Sequence, residues 1–500
     1  MSERPTSHVT RRGLLASALM ASAAVTLPGL VEQRQVSAQT ASTPHAGTRL
    51  EAIKSDLDAF VAQRMADLQV PGAAVGIVAG KDEYAAGFGV TNLDHPLPVD
   101  TETLFQIGST TKTVTATALM RLVEQGKVDL DAPVRTYLPD FRVADASVSE
   151  EVLVRHLVTH TGGWFGDDFT DTGRGDDALA AYVAEMADLP QIAPLGRFFS
   201  YNNAGLSVVG RIIEVVTNKS YEDAVQELVL TPLGMEHSYF FPEQVMTQAF
   251  SVGHAGSPDD PEGAPQVVPD WAFPRAINPA GGITSSVMDQ LRYARFHLGI
   301  GPATGADVLS AESVAQMQTP HGPGGSLGLY LLDGVGVTWM LSTLGGERVV
   351  MHGGSTNGQQ SAFLLLPDAG FGITVLTNAE AGAVLAEETV LWVLDRLYGL
   401  SLPEPTPIEV SPDELADYAG TYASGTGVNL DVAERDGELL LDVTLNGEPL
   451  PDGSGPLMMV GPDRAVFEFA GVPFLTDFVR DDTGEASWIR FSGRLSPRAD

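Results

Sequence analysis

The sequence predicts an α+β fold followed by a small all-β domain. Segments with strand character lie near both ends of the first 400 residues, at 73–90 and 360–378, and turn residues interrupt each of them as in a hairpin. The residues between these two segments have mainly helical spacing. From Leu415 onward the pattern changes to short alternating segments separated by turns. The first region therefore combines helices with antiparallel strands, and the remainder is all β.

The individual elements of the first region follow from local patterns. Apolar residues that recur on one helix face, such as Leu50, Leu57 and Val61, predict a first helix, which a Pro-Gly pair at 71–72 separates from the next element. The sequence Pro-Asp-Ala-Gly at 367–370 supplies the turn of the second hairpin. In chain order, the predicted elements are a helix at 48–68, strands at 73–78, 83–90, 347–351, 360–366 and 371–378, and a helix at 381–398.

A proline-rich linker separates the C-terminal region from the first one. The prolines within 402–407 favour an extended chain there. Asp-Gly and Asn-Gly pairs at 436–437 and 446–447 are typical of tight hairpin turns. Closure of such strands into a barrel would remove exposed sheet edges. The predicted strands lie at 428–432, 438–443, 465–469, 474–480 and 487–492.

One serine and one lysine have the spacing of a catalytic pair. The chain has five lysines, and only Lys112 has a serine, Ser109, three residues before it. Residues 113–120 have helical spacing, and positions i and i+3 lie on the same face of a helix. A serine hydroxyl is a weak nucleophile without an adjacent base, and a desolvated lysine amine is such a base. The pair is therefore a candidate nucleophile and base, and an exposed lysine on a helix is the alternative.

Two further polar motifs follow along the chain. Tyr201 and Asn203 are two residues apart, just before an apolar run at 206–213. His352 and two glycines follow the predicted strand at 347–351, and glycines there let a substrate backbone approach closely. Each motif taken singly is also typical of an ordinary loop.

Together, Ser-x-x-Lys, Tyr-x-Asn and His-Gly-Gly resemble the motifs of the penicillin-recognising serine hydrolases, on the branch of class C β-lactamases, D-aminopeptidases and related esterases. Segments 154–163, 231–235 and 279–286 are similar to further signatures of this family, so the resemblance extends from about residue 49 to about residue 399. It implies a β-lactamase/transpeptidase-like fold, in which helices flank an antiparallel sheet and the site lies between the sheet and an inserted helical lobe. The sequence Tyr-Ala-Gly-Thr-Tyr at 418–422 resembles the opening of the lipocalin-like barrel that follows many of these hydrolases.

The resemblance implies roles for the nucleophile and its neighbours. Ser109 would attack a carbonyl carbon and form an acyl-enzyme, while Lys112 and Tyr201 transfer its proton. Either of the two can be the base. A charged Lys112 would lower the pKa of the Tyr201 phenol and so make Tyr201 a proton acceptor, whereas Lys112 can itself accept the proton only if burial keeps its amine neutral. The backbone N–H groups of Ser109 and Ser355 would form the oxyanion hole.

The other motif residues would bind the substrate. The resemblance implies that Asn203 hydrogen-bonds Lys112 or a substrate amide, and that His352, Gly353 and Gly354 contact the substrate. β-Lactamases and cell-wall transpeptidases of this superfamily typically have Lys-Thr-Gly here, and that lysine faces a substrate carboxylate. Histidine, whose unperturbed pKa is near 6.5, is mostly neutral at pH 7 and binds an anion less strongly. His-x-Gly resembles the D-aminopeptidase and peptidase branches instead.

The sequence therefore predicts a serine hydrolase that cleaves an ester, amide or peptide bond of a small-molecule or peptide substrate, without metal or cofactor. A class C-like β-lactamase or a D-alanyl-D-alanine carboxypeptidase is the first alternative. The second is a binding module that retains the fold without turnover, which the complete Ser109, Lys112 and Tyr201 set disfavours. Four aromatic residues are candidates for the pocket wall, although core packing is the favoured interpretation: Trp164, Phe165, Trp271 and Phe273.

Composition excludes several other classes. The 500 residues include no cysteine, which excludes thiol catalysis, disulfides and cysteine-ligated metals. His156 and His160 are four residues apart, but the chain lacks a His-Glu-x-x-His pattern, so both are interpreted as packing or hydrogen-bonding residues. The formal net charge of −35 argues against partners such as nucleic acid or an anionic membrane, because both require basic patches.

The first residues resemble an export signal of the twin-arginine type. Arg11 and Arg12 precede an uncharged run at 13–31, and small residues at 36–38 offer a cleavage point. An uncleaved membrane anchor is the alternative. After cleavage we expect an exported protein without stable membrane insertion, and an oligomer stays open. The expected organisation is a signal peptide at 1–38, a hydrolase domain at 49–400, a linker at 401–412 and a lipocalin-like barrel at 413–500.

Overall fold

A computed structural model describes residues 46–256, 263–300, 308–425, 427–469 and 472–499. The export signal predicted at 1–38 lies outside these residues. Within the described ranges, no helix combines the length and the hydropathy that a bilayer crossing requires.

A seven-stranded antiparallel sheet lies at the centre of the first region. Its strands are β1 (Gly72–Ala79), β2 (Asp82–Gly89), β3 (Gly334–Val335), β4 (Met340–Leu344), β5 (Glu347–Ser355), β6 (Gln360–Leu366) and β7 (Phe371–Thr377). They are arranged in the order β3-β4-β5-β6-β7-β1-β2. The two predicted hairpins therefore join in one sheet, with Val75 of β1 opposite Val375 of β7. This pairing confirms the predicted antiparallel sheet built from both ends of the region.

Helices cover both faces of this sheet. The longer helices are α1 (Ala46–Asp67), α2 (Thr111–Glu124), α3 (Asn203–Thr217), α4 (Val287–His297) and α5 (Gly382–Tyr398). The predicted apolar face of α1, including Leu50 and Leu57, is buried in the same apolar cluster as α5. Arg64 of α1 also donates hydrogen bonds of 2.6 and 2.7 Å to the two carboxylate oxygens of Glu388 in α5. On the opposite face, α4 lies against β1 and β7.

The residues between β2 and β3 also form the helical lobe, which is built around α2 and α3. The shorter helices are Ala146–Glu151, Val154–Val158, Ala178–Glu185, Tyr221–Val225, Thr231–Leu233, Pro242–Val245, Asn278–Gly281 and Ala311–Met317. Short strands form a three-stranded sheet (Leu104–Gln106, Thr284–Ser286, Ser238–Tyr239) and two ribbons (His254–Ala255 with Gln266–Val267, and Gly325–Leu327 with Tyr330–Leu332). The lobe packs in one apolar cluster with one face of the sheet.

The C-terminal region is an eight-stranded antiparallel sheet that closes almost completely into a barrel. After the helix Pro412–Ala416, its strands follow in chain order as β8 (Gly420–Ala423), β9 (Val428–Arg435), β10 (Glu438–Leu445), β11 (Glu448–Gly461), β12 (Arg464–Phe469), β13 (Val472–Arg480), β14 (Ala486–Phe491) and β15 (Arg494–Pro497). The first and last strands approach each other, because Tyr422 bridges Arg498 and the Ala499 N–H donates to the Thr421 carbonyl at 2.8 Å. The all-β prediction is confirmed, whereas the lipocalin-like assignment and the domain boundaries stay predictions.

The barrel contacts the helical lobe and the ribbon at 325–332. The indole N–H of Trp488 donates to the Ile192 carbonyl at 2.7 Å, and the guanidinium of Arg490 donates to the Phe199 carbonyl at 3.0 Å. The Leu475 N–H donates to the Gly328 carbonyl at 2.8 Å. These contacts bring the barrel next to the segment that precedes α3, where Tyr201 lies.

Candidate active site

Ser109 lies in a single turn of 3₁₀-helix, Gly108–Thr110, directly before α2. Lys112 lies in the first turn of α2, and positions i and i+3 share a face, so its side chain extends toward the serine. The Lys112 Nζ lies 2.9 Å from the Ser109 Oγ. The predicted pairing of these two side chains is therefore present, with the serine one turn ahead of the α-helix.

Lys112 is fully buried and has no carboxylate among its hydrogen-bond acceptors in the described residues. Its amine donates to the carbonyl of Ala280, within the segment 279–286, at 2.6 Å. Burial lowers the pKa of Lys112 well below its ordinary value, the charge of Arg494 lowers it further, and the charge of Asp167 opposes the shift. The lowered pKa favours the neutral amine, which can accept a proton.

Tyr201 is 8% exposed and lies just before α3, whose first turn Asn202 caps by accepting from the Gly205 N–H at 2.7 Å. The imidazole of His160 stacks on the Tyr201 ring with centroids 4.6 Å apart, and the Lys112 Nζ is 4.9 Å from the ring centroid. Burial raises the pKa of the Tyr201 phenol, although its hydrogen bond with Ser109 and the nearby guanidinium oppose that change. The phenol is therefore held protonated.

Asn203 is hydrogen-bonded to a carboxylate rather than to Lys112. Its Nδ2 donates to the Asp167 Oδ1 at 2.6 Å. Asp167 also accepts from the Nε of Arg494, a barrel residue, at 2.9 Å. Within the described residues, Asn203 thus bonds Asp167 instead of Lys112, the partner expected from the sequence. Asp167 is the charged acceptor that the Asn203 amide can reach. Contact of Asn203 with a substrate amide stays a prediction.

The backbone of β5 approaches the turn that contains Ser109 at two glycines. A Cβ on Gly108, whose φ is +49°, would lie 2.6 Å from the Ser355 nitrogen, and a Cβ on Gly354 would lie 2.8 Å from the Ser109 nitrogen. Side chains at these positions would separate the two backbones. The two glycines therefore allow the backbones at Ser109 and Ser355 to approach each other, whereas the oxyanion hole expected there stays a prediction.

His352 is buried and lies beside Tyr201, with ring centroids 6.2 Å apart. Its Nδ1 is 2.7 Å from the Gly353 carbonyl oxygen, so Nδ1 carries the proton and Nε2 is the acceptor. Burial lowers the pKa of His352 to about 3, and the neighbouring charge on Lys112 would act in the same direction. The imidazole is thus more firmly neutral than its sequence position alone predicts.

A cavity of about 170 Å³ opens above Ser109. Tyr201, His352 and Arg494 contribute its polar wall. Of the four aromatic residues considered from the sequence, Phe273 lines the cavity and Trp164 is buried in the core. The apolar wall includes Phe169, Ile277, Leu327, Leu329, Met340 and Met351.

Three residues that contact this site were not predicted from the sequence as site residues: His160, Asp167 and Arg494. His160 was interpreted as a packing residue, and its stacking on Tyr201 agrees with that interpretation while placing it in the site. Asp167 belongs to a loop without periodic pattern, and Arg494 is the first residue of β15 in the barrel, directly after the turn that follows β14. No local signal points to either, because their contacts are tertiary. Among the described residues, no group of three His, Asp or Glu side chains could hold a metal ion.

The chain is similar to several known proteins. A family model described as Beta-lactamase matches residues 57–396. Penicillin-binding protein 4 from Amycolatopsis lactamdurans is 36% identical over 358 residues, which cover 71% of this chain and 93% of that protein. Esterase EstB from Burkholderia gladioli is 30% identical over 313 residues, which cover 55% of this chain and 79% of the esterase.

Among solved structures, SurE is similar over both regions of the chain. The similarity covers 90% of this chain and 99% of SurE, with a TM-score of 0.71 and 25% sequence identity. A second SurE structure, determined with D-Leu, gives a TM-score of 0.70 over 90% of this chain.

Proposed function

This chain belongs to the beta-lactamase family of serine hydrolases, and from that membership we propose that it cleaves an ester, amide or peptide bond through an acyl-enzyme on Ser109. The observation that carries the proposal is the 2.9 Å contact between the Ser109 Oγ and a fully buried lysine amine. A neutral amine at this position removes the hydroxyl proton as the oxygen attacks the substrate carbonyl. Assistance of this kind is worth roughly 10²- to 10⁴-fold in rate.

Lys112 is the base of the acylation step, and Tyr201 is the proton donor to the leaving group. The lowered pKa of Lys112 and the raised pKa of Tyr201 support this division, because the free enzyme then holds one neutral amine and one neutral phenol. The Ser109 proton passes to the Lys112 amine, and the bond from Oγ to the carbonyl carbon forms. When the leaving group departs, it takes a proton from Tyr201, which the protonated Lys112 replaces. The N–H groups of Ser109 and Ser355 stabilise the oxyanion.

The substrate is an ester, amide or peptide whose recognition does not depend on a carboxylate. The neutrality of His352 supports this, and so does the pairing of Arg494 with Asp167, which leaves no free cation on the polar wall of the described cavity. EstB is named as an esterase, and one SurE structure was determined with D-Leu. Esters of short acids and of D-amino acids are therefore the first substrates to assay.

A β-lactamase or D-alanyl-D-alanine carboxypeptidase is the second candidate function. The observation in its favour is the 36% identity to penicillin-binding protein 4, which extends over 93% of that protein. A binding module without turnover is the third possibility. Covalent reaction of Ser109 with a probe would contradict it, and absence of that reaction would favour it.

The decisive experiment compares the wild-type protein with Ser109→Ala. Wild-type protein should react covalently with a fluorophosphonate probe and hydrolyse p-nitrophenyl acetate or a D-leucine ester, and Ser109→Ala should do neither. A wild-type protein that stays unlabelled under native conditions would contradict the acyl-enzyme. Turnover of a chromogenic cephalosporin that is faster than ester turnover, and absent in Ser109→Ala, would favour the second candidate.

We also propose that the protein is exported by a twin-arginine signal. The support is the sequence at 1–38, where Arg11 and Arg12 precede an uncharged run. Replacing both arginines by lysine should retain the protein in the cytoplasm of the producing cell. Unchanged export of that variant would contradict the assignment.

A further inference from the structure

The turn between β14 and β15 of the barrel contacts the segment that carries Tyr201. The Tyr201 N–H donates to the Gly493 carbonyl at 2.8 Å, and the Leu495 N–H donates to the Ser200 Oγ at 3.1 Å. Gly493 has a φ of +76°, and a Cβ there would lie 2.7 Å from the Leu327 side chain, so the turn has little room to shift. The barrel is therefore fixed to the backbone of a proposed catalytic residue.

Arg494 extends from this turn over the Tyr201 ring. Its guanidinium carbon lies 4.7 Å from the ring centroid. The guanidinium donates to Asp167 at 2.9 Å and to the Ser492 carbonyl at 2.8 Å. Asp167 is itself 7% exposed and accepts from Asn203. The orientation of Arg494 is thus set from two sides, and its charge is already paired, which makes it a poor receptor for a substrate anion.

Few charges face the Lys112–Tyr201 pair. The titratable groups that act on the pair are Arg494 from the barrel, Asp167 and His160 from the helical lobe, and His352 from β5. Burial lowers the pKa of both His160 and His352, so both imidazoles are neutral near pH 7. The ion pair of Arg494 and Asp167 is the other charged feature beside the Lys112–Tyr201 pair.

We propose that Arg494 is a positioning residue that the barrel supplies to the hydrolase site, where it orients the Tyr201 ring and places a positive charge near Lys112. The inference rests on the proposed function of Ser109 and Lys112. It follows that the barrel is part of the catalytic apparatus rather than an independent appendage. Asp167 has the opposite electrostatic effect on Lys112 while it holds the guanidinium in place.

The direction in which each charge shifts the pKa of Lys112 gives the test. The positive charge of Arg494 lowers the pKa of Lys112, so its removal raises that pKa, and the base becomes protonated at a higher pH. In Arg494→Met, the acid limb of the pH–rate profile should therefore move upward by roughly one pH unit. Arg494→Lys should restore most of the wild-type profile, and Asp167→Asn should move the acid limb downward, because the charge of Asp167 raises the pKa of Lys112.

The measurement is the pH dependence of kcat/KM for p-nitrophenyl acetate, a neutral ester that lacks a carboxylate. Arg197→Met is the matched control, because Arg197 forms an exposed ion pair with Asp482 between the same two regions at 2.6 Å, and its profile should superimpose on that of the wild type. Opposite shifts in Arg494→Met and Asp167→Asn would support the inference. Superimposable profiles for these two variants would overturn it.

Failure of the inference is distinguishable from failure of the proposed function. If wild-type protein is inactive, or if Ser109→Ala is as active as the wild type, the proposed function fails. If only the profiles of the Arg494 and Asp167 variants stay unshifted, the inference fails alone. Circular dichroism and thermal unfolding identify a variant that does not fold. If Arg494→Met is such a variant, the profile of Asp167→Asn decides the question.

Discussion

Replacing Lys112 by methionine would separate the chemistry of its amine from its packing. Lys112 is fully buried, and methionine fills a similar unbranched volume. The variant keeps α2 intact, because methionine and lysine have similar helix propensities. What it removes is the amine at 2.9 Å from the Ser109 Oγ and its hydrogen bond to the Ala280 carbonyl.

The expected effect on rate is far larger than the expected effect on stability. Loss of the proposed general base should slow acylation by about 10²- to 10⁴-fold. The unpaired Ala280 carbonyl costs about 1–3 kcal/mol of unfolding free energy, and removal of a buried amine returns part of that cost. The net loss should therefore stay below about 2 kcal/mol, too little to unfold a protein of ordinary stability.

The assay is single-turnover release of p-nitrophenol from p-nitrophenyl acetate, accompanied by urea unfolding of the same samples. Lys127→Met is the control, because Lys127 is exposed and lies just after the same helix. It should match the wild type in both measurements. Acylation of Lys112→Met within tenfold of the wild-type rate would refute the assignment of the base and transfer that role to Tyr201.

Three other perturbations test separate parts of the structure. Gly354→Ala would place a Cβ 2.0 Å from the carbonyl oxygen of Ile107, just before the turn that contains Ser109, so acylation by the same ester should fall by about 10²- to 10³-fold. Gly256→Ala, whose Cβ would meet nothing within 4 Å, should not slow acylation. Lowering the pH from 7 to 5 should not strengthen binding of a carboxylate-bearing cephalosporin to Ser109→Ala, because burial keeps the pKa of His352 at about 3. Tenfold tighter binding at pH 5 would show that the His352 imidazole becomes charged. Arg64→Met should lower the free energy of unfolding, measured by urea titration, by about 2–3 kcal/mol, because it leaves the buried carboxylate of Glu388 unpaired. A change under about 0.5 kcal/mol would show that water replaces the arginine as the partner of this carboxylate.

The elements with strong periodicity could be predicted from the sequence to within a few residues. The helix expected at 48–68 is observed at Ala46–Asp67, and the helix expected at 381–398 is observed at Gly382–Tyr398. Three barrel strands were missed: β8, β11 and β15. The stretch at 449–456 within β11 contains three prolines and two glycines, which are typical of loops, and its pairing with β10 shifts register there. The other two strands are only four residues long.

The candidate site could be predicted only where a local motif carries it. The spacing of Ser109 and Lys112 indicates a shared face, and the structure brings the two side chains together. The lowered pKa of Lys112 could not be predicted, because it depends on burial by residues from distant parts of the chain. The same holds for Asp167 and Arg494, which are 327 positions apart and meet only in the folded protein.

The supply of Arg494 by the barrel has a consequence for how the enzyme becomes active during folding. The first region and the barrel each pack around an apolar cluster of their own, and regions of this kind generally fold as units. The sheet and the helical lobe can therefore be native while the barrel is still undocked, and Lys112 and Tyr201 would then lack the charge of Arg494. Hydrolysis measured at that stage of refolding, after the fluorescence of the buried Trp164 and Trp339 has returned, should show the pH dependence expected of Arg494→Met. The enzyme would thus acquire its fold before it acquires the pH dependence of the native protein.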